Sequence, residues 1–362
     1  MKVLMLLYDL RVAAGVSSYA MNYYRTLDHS KIRMDFVTYR SSESQYIEEI
    51  RNNGDEVFVL PPFRNIFKHS QACLSIIRNG QYDIIHDNSL LITLPFMSIA
   101  KKHVGIRILH SHSARLGETV KNEKRNRVFL PLLLSNANHY TACSNKAGKA
   151  LFNERNFTVI PNVINTERFR YSQEIRKRIR TQEKCEGKRI IASIGRLSDA
   201  KNPIFAIDVI EKVVHSNSDI MYWWIGSGAL YEQVCDYVRK KGLEKKIRLF
   251  ENRSDIPDLL QAIDLFFMPS KSEGFGLACL EASAAGLPCV VSDEFPSEID
   301  VAGNVRFVSL RQTKQEWAEI LLDQLVSTPN RLDANEKIRH SIYSDTDAGK
   351  HLYEYYCSLL NQ

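Results

Sequence analysis

Short apolar runs alternate with helix-length segments along this chain, and the alternation starts afresh halfway. Lys2 to Leu7, Met34 to Thr38, Val57 to Leu60, Asp83 to His86, Ile106 to Leu109 and Thr158 to Ile160 read as strands, separated by helical stretches. After residue 185 the pattern returns with Arg189 to Ile194, Ile220 to Ile225, Ile247 to Phe250, Leu265 to Met268, Pro288 to Val291 and Val305 to Val308. Alternation of this kind calls for a parallel sheet covered by helices on both faces, built twice. The expected fold is therefore α/β, with two doubly wound Rossmann-like domains. The length of 362 residues exceeds one ordinary open sheet, and 44% hydrophobic content supplies a core for each half.

Pro161-Asn162 leaves the last strand of the first half, and the charged stretch Glu174 to Lys188 precedes the second, so the linker is placed there. The expected division is 1–165, 166–343, and a last helix within 344–362. That helix carries Leu352, Tyr356, Leu359 and Leu360 at helical spacing and is expected to pack back on the N-terminal domain. Open parallel sheets bind ligands beyond the carboxyl ends of their strands, so two domains facing across a cleft would each contribute one binding edge.

Two segments fall at such an edge. Asp264-Leu-Phe-Phe-Met-Pro269 reads as a buried strand ending at proline, and Leu277 to Ala285 as a helix closed by Gly286. Glu273 then sits on the connecting loop and Glu281 on the helix. Gly274, Phe275 and Gly276 bring backbone N–H groups to the helix N-terminus, where unsatisfied donors and the helix dipole favour an anion. A carboxylate accepts hydrogen bonds from a vicinal diol, so the loop reads as a site for a phosphorylated sugar. The other segment, Gly195-Arg196 to Lys201-Asn202-Pro203, leaves the first strand of the second half, with Asn202 placed to cap a helix that starts at Pro203. An arginine fork beside a lysine point charge suits a diphosphate. Taken alone, that pair is weak evidence, because basic residues in strand-to-helix loops are usually solvated.

The rest of the composition narrows the partners. Seven cysteines are scattered without paired or zinc-ligand spacing, so neither a disulfide framework nor a metal site is expected, and a cytoplasmic setting is the simplest reading. No apolar run is long enough for a bilayer span or a signal peptide. Net charge is only +6, yet Lys101, Lys102, Arg107, Arg115, Lys121, Lys124, Arg125 and Arg127 crowd one stretch of the first half. A solvated helix face and a docking patch for anionic lipid or a phosphorylated acceptor explain that stretch equally well on pattern alone. Nucleic acid is not expected, since the patch lacks interleaved aromatic residues.

Gly195-Arg196 to Lys201 followed by Glu273-Gly274-Phe275-Gly276 to Glu281, in this order and about half a doubly wound domain apart, resemble the donor site of family 4 retaining glycosyltransferases of the GT-B fold. Asp83-Ile-Ile-His86, Ile108-Leu-His110-Ser-His112, Pro161-Asn162 and Ile225-Gly226-Ser-Gly228 look like further landmarks of that family. The chain looks most like the bacterial enzymes that assemble exopolysaccharide or capsule repeat units. The resemblance implies an N-terminal acceptor-binding domain and a C-terminal nucleotide-sugar-binding domain. Arg196 and Lys201 would hold the diphosphate, Glu281 the nucleotide ribose, and Glu273 with the amides of Phe275, Gly276 and Leu277 the transferred sugar and its phosphate. His112 best matches the family's histidine facing the donor sugar, and His110 competes for that role. His86 would line the acceptor side, although a lone strand-end histidine is more often structural. Gly15 keeps a close phosphate approach open after strand one, while Ala14 stands where the family usually has a second glycine that tolerates positive φ.

The resemblance further implies same-face transfer from a nucleotide-diphosphate sugar, a UDP-sugar foremost, to a saccharide or lipid-linked saccharide acceptor, while the basic stretch 101–127 extends the cytoplasmic reading to the inner face of the plasma membrane. No cofactor and no metal are expected, because Arg196, Lys201 and the helix end already meet the charge on the leaving diphosphate. A nicotinamide-dependent oxidoreductase on the same architecture fails at strand one, where the loop from Asp9 to Tyr19 has a single glycine. A nucleotide-sugar epimerase and a non-catalytic donor-binding partner of another transferase are the remaining alternatives.

Overall fold

The computed structural model describes residues 1–12, 14–40, 44–117, 120–251, 253–326 and 330–361. The chain forms two compact units, one from Met1–Val163 with Asp345–Gln362 and the other from Ile164–Ser344.

The first unit runs β1 (Lys2–Leu7), α1 (Gly15–Tyr24), β2 (Arg33–Thr38), α2 (Gln45–Asn52), β3 (Val57–Val59), α3 (Ile66–Gly80), β4 (Ile84–Asp87), α4 (Leu94–Ala100), β5 (Ile106–Ser111), α5 (Val120–Asn136), β6 (His139–Ala142), α6 (Asn145–Phe152) and β7 (Thr158–Val159). Its seven strands are all parallel in the order β3-β2-β1-β4-β5-β6-β7, so the winding reverses between β1 and β4. Strand β6 lies outside the apolar runs read from the sequence. Its His-Tyr-Thr-Ala carries no continuous apolar stretch, and only its last two residues are buried. Pairing with β5 from Ile108↔His139 to Ser111↔Ala142 holds it in the sheet.

The second unit runs α7 (Gln173–Gln182), β8 (Arg189–Ile194), α8 (Pro203–Ser216), β9 (Ile220–Ile225), α9 (Tyr231–Lys240), β10 (Ile247–Phe250), α10 (Ile256–Ala262), β11 (Leu265–Met268), α11 (Leu277–Ala284), β12 (Cys289–Ser292), β13 (Val305–Val308), α12 (Lys314–Val326) and α13 (Arg331–Arg339). The order β10-β9-β8-β11-β12-β13 repeats the first sheet's winding, with its reversal between β8 and β11. Strand β9 is buried along its whole length, and Trp223, Trp224, Phe266, Phe267 and Trp317 fill the core around the sheet. The loops after β8 and β9 lie against each other. A Cβ at Gly226 would come within 2.4 Å of the Gly195 carbonyl oxygen, so only glycine permits that approach.

The charged stretch Glu174 to Lys188 is not a linker. Most of it is α7, which packs on α10, and Arg176 reaches Asp264 at 2.5 Å while Arg180 meets the same carboxylate at 3.3 Å. Asp264 Oδ2 also accepts from the Ile190 amide at 2.7 Å, so these charges tie the helix to the start of β8 and β11. The last helix, α14 (Ala348–Leu360), belongs to the first unit, and its Leu352, Tyr356 and Leu359 join the core formed by β1, α1 and β2.

Candidate functional site

At the winding reversal of the second sheet the loops after β8 and β11 meet. Lys201 Nζ lies 2.5 Å from Glu273 Oε1, and the buried Ser270 hydroxyl donates to the same oxygen at 2.7 Å. Both donors converge on Oε1, which leaves Oε2, among the described residues, to a ligand. Ser292 Oγ donates to the Ser270 carbonyl at 2.6 Å, and the Lys271 amide donates to the Ala200 carbonyl at 2.8 Å. Lys271 Nζ to Asp199 at 2.6 Å closes the same junction from outside. Arg196 lies exposed on the loop between them.

Asn202 does not cap α8 with its side chain. It adopts φ 56°, ψ 48° at the end of a 3-10 turn and makes no cap hydrogen bond. Its amide nitrogen instead donates to the Pro269 carbonyl at 3.2 Å, joining the two loops. The two basic residues and Glu273 are thus held on one sheet edge by contacts that the sequence spacing does not reveal.

The N-terminus of α11 borders this junction. Gly276 precedes it with φ 97°, and a Cβ there would meet the Phe295 ring at 2.4 Å. Phe275 is buried with its ring 5.1 Å from that of Tyr343, so only its backbone faces outward chemistry. The Cys279 and Leu280 amides both donate to the Gly276 carbonyl, whereas those of Gly276 and Leu277 have no acceptor among the described residues. Gly274 is buried in the same turn. Glu281 lies one helical turn further on, half-buried. Burial pushes its carboxyl up to about 7, against the opposing pull of Arg168. A cationic edge, open helix amides and two carboxylates suit a polyol phosphate, with the anion near Lys201 and hydroxyl groups near the carboxylates.

The first unit presents a different array at its own winding reversal. Gly15 is the first residue of α1, and a Cβ there would meet nothing within 4 Å. Ala14 before it has φ −92°, so no left-handed conformation is demanded of it. His86, His110 and His112 lie in series from β4 and β5, with ring centroids 5.4 Å and 4.3 Å apart. His86 is fully buried and bonds the Tyr356 hydroxyl of α14 at 2.7 Å, and His110 is fully buried with Nδ1 2.9 Å from the Thr141 hydroxyl. Neither ring is open to a ligand. The acceptor-side assignment of His86 and the competing assignment of His110 are therefore corrected to core positions. His112 is only half-buried, stacks on His110, and receives the edge of Tyr19 at 4.7 Å. Burial pushes His112 down to about 3, assisted by repulsion from His86, so the ring is neutral.

The basic stretch divides. Arg107 is spent internally on the carbonyls of Val104, Gly105 and Asn136, and Lys101 donates to the Ser135 carbonyl. Lys121, Lys124, Arg125 and Arg127 are exposed on α5, followed by exposed Val128, Phe129 and Leu132. Among the described residues no group of three or more His, Cys, Asp or Glu side chains is arranged to hold a metal ion.

Ser270, Arg168 and Asn88, whose Oδ1 lies 2.8 Å from His112 Nε2, carry no signal in the sequence. Serine and asparagine in turns are too common to signal a role, and Arg168 acts on Glu281 through space only because the turn Thr166–Phe169 packs against α11.

Two parallel-sheet α/β units of this kind are the architecture of the GT-B fold. HepE of Anabaena, crystallised with UDP and glucose, has the same fold with a TM-score of 0.81 at 19% identity, over 99% of this chain and 100% of that one. The model of Glycosyltransferase Family 4 matches residues 13–168, and that of Glycosyl transferases group 1 matches residues 174–340. The chain belongs to the family 4 glycosyltransferases. It is 28% identical over 321 residues to the protein named glycosyltransferase EpsF of Bacillus subtilis, covering 85% of this chain and 83% of that relative. It is 25% identical over 301 residues to the UDP-Gal:alpha-D-GlcNAc-diphosphoundecaprenol alpha-1,3-galactosyltransferase of Escherichia coli, covering 77% and 76% respectively.

Proposed function

We propose that this glycosyltransferase moves a hexose from a UDP-sugar to a lipid-linked saccharide during assembly of an exopolysaccharide or capsule repeat unit, with retention at the anomeric carbon and without a metal. The observation that carries this reading is the junction of Lys201, Glu273 and the open α11 amides at the winding reversal of the second sheet. Arg196 and Lys201 hold the diphosphate, Glu281 accepts from the ribose, and Glu273 Oε2 accepts from the sugar. In the first unit, His112 is assigned to a sugar hydroxyl and Gly15 to the approach of a phosphate. The UDP and glucose bound to HepE and the UDP-Gal and polyprenol-linked substrates in the name of the E. coli relative support this choice of substrates.

In the reaction, the bond from the anomeric carbon to the phosphate oxygen breaks and the acceptor oxygen bonds to that carbon on the same face. The acceptor proton passes to the departing phosphate oxygen. Negative charge growing on the diphosphate meets the Lys201 ammonium, the Arg196 guanidinium and the helix amides, which are already oriented. Glu273 orients hydroxyl groups and is not assigned as a nucleophile, since Lys201 and Ser270 hold one of its oxygens.

The exposed basic residues of α5 beside Val128, Phe129 and Leu132 support docking on an anionic membrane, with lysines and arginines at the headgroups and the apolar residues below them. No described helix is long and apolar enough to cross a membrane.

A panel of UDP-glucose, UDP-galactose and their N-acetyl forms, offered with a polyprenyl-diphosphate-linked sugar, tests the reading. Product with the donor's anomeric configuration is expected, undiminished by a chelator. An inverted product overturns retention, dependence on added divalent ion overturns metal independence, and no transfer or donor hydrolysis from any member overturns the donor class. Cosedimentation with phosphatidylglycerol vesicles is expected to fall when Lys121, Lys124 and Arg125 are replaced by glutamine, and unaltered cosedimentation removes the membrane arm.

A further inference from the structure

His112 is held by a neighbour that also decides which of its nitrogens carries the proton. Asn88, in the turn after β4, is 4% exposed, and its backbone is anchored by its amide donating to the Leu6 carbonyl at 3.0 Å. Its side-chain nitrogen lies 3.2 Å from the His86 carbonyl oxygen and 2.7 Å from the Met5 sulfur. Both are acceptors only, so the NH2 group must point at them. Turning the amide over would set oxygen against oxygen at the His86 carbonyl. Asn88 Oδ1 therefore faces His112, 2.8 Å from Nε2. An amide oxygen accepts and does not donate, so Nε2 bears the hydrogen. In a neutral imidazole that leaves the lone pair on Nδ1.

The ring is fixed in its plane as well. It stacks on His110 with a 30° interplanar angle and takes the Tyr19 edge at 71°. Nδ1 has no hydrogen-bond partner among the described residues and is not among the atoms sealed from solvent.

We propose that Asn88 is a positioning residue that locks His112 in its Nε2–H tautomer, so that the first unit presents the Nδ1 lone pair as an acceptor for a ligand hydroxyl. The ligand class follows from the lone pair. A sugar hydroxyl donates to it, whereas a phosphate oxygen or a carboxylate is repelled by it. The choice of a sugar hydroxyl rests on the reading above that His112 meets the donor sugar; the tautomer does not.

The full chain labelled with 15N-histidine tests both parts. The His112 signals, assigned by their loss in His112→Ala, are expected to show a protonated Nε2 and a bare Nδ1 at neutral pH. In Asn88→Leu, which keeps the size but removes the acceptor, the two tautomers are expected to mix. The kcat/KM for the donor is expected to fall about tenfold, the loss of one neutral hydrogen bond, with UDP affinity unchanged. A protonated Nδ1 in the wild type overturns the proposal even if the leucine variant does not fold, and so does an unaltered tautomer in a folded variant. Saturating UDP-glucose is expected to shift Nδ1 while UDP does not. The expected tautomer with an Nδ1 blind to UDP-glucose overturns the hydroxyl contact and the donor-sugar reading while leaving the tautomer assignment standing.

Discussion

Lys201 already has a partner within its own unit, and a donor diphosphate must share it with Glu273. Nζ and Oε1 are 2.5 Å apart, with side-chain exposures of 24% and 8%. A phosphate oxygen on the open side of the same ammonium, at a hydrogen-bond length of about 2.8 Å, lies about 5 Å from the Glu273 charge. At an effective dielectric near 20, two unit charges at that separation repel by about 3 kcal/mol. The partial exposure of Lys201 admits solvent screening, so a discounted value of about 1–2 kcal/mol is appropriate. Glu273→Gln removes the charge, keeps the shape, and still offers an amide oxygen to Ser270 and Lys201. It is expected to bind UDP about 5- to 30-fold more tightly than the wild type. Turnover is expected to fall about a hundredfold or more, because a charged acceptor for the sugar becomes a neutral one. Titration calorimetry with UDP and steady-state transfer assays read the two effects separately. Unchanged or weaker UDP binding in a folded Glu273→Gln variant refutes the argument that this carboxylate holds the phosphate-binding lysine.

Gly276→Ala is expected to cost about 2 kcal/mol or more in urea unfolding and to lose donor binding, since a Cβ meets the Phe295 ring at 2.4 Å on a backbone with φ 97°; wild-type stability and affinity would show that the turn relaxes. Glu281 is raised from 4.5 to about 7, so its stabilising contribution is fully present below about pH 4.5 and is lost as pH rises through about 7. Unfolding free energies of Glu281→Gln should therefore gain on the wild type as pH rises across this window, by roughly 3 kcal/mol at most, and a constant offset speaks against the shift. His86 and His112 are lowered by burial to about 3, and His110 is lowered well below its ordinary value. The stability they provide is present above about pH 6.5 and lost as pH falls towards about 3, so acid is expected to open the first unit. Tyr356→Phe, which leaves His86 Nδ1 without its 2.7 Å partner, should lower stability by about 1–3 kcal/mol at neutral pH. Equal urea midpoints would show that the bond contributes nothing.

The fold was legible because parallel strands buried on both faces write themselves as apolar runs, as in Ile220–Ile225 and Leu265–Met268. Strand β6 escaped because partly exposed His139 and Tyr140 break that rule. The charges of α7 resembled a solvated linker because sequence alone does not show Arg176 and Arg180 meeting Asp264, more than eighty residues away. At the site, Arg196, Lys201, Glu273 and Glu281 were visible through their chemistry and order. Their mutual contacts were not, since the Lys201–Glu273 pair spans 72 positions and depends on the winding of the sheet. Residue type alone does not distinguish buried His110 from half-buried His112, two positions further on. Asn88 gave no signal at all, because its role lies in which way its amide faces.

The return of the chain to its first unit after Ser344 makes that unit discontinuous, with the whole second unit inserted between Val163 and Asp345. During synthesis the second unit can therefore be completed while the first still has a gap where Leu352, Tyr356 and Leu359 will sit, and His86 waits for a hydroxyl from near the end of the chain. Until α14 is made, the nascent first unit exposes an apolar groove to chaperones and proteases. A truncation that removes only this helix, far in sequence from every residue assigned to chemistry, is therefore equivalent to leaving the first unit's core unfinished.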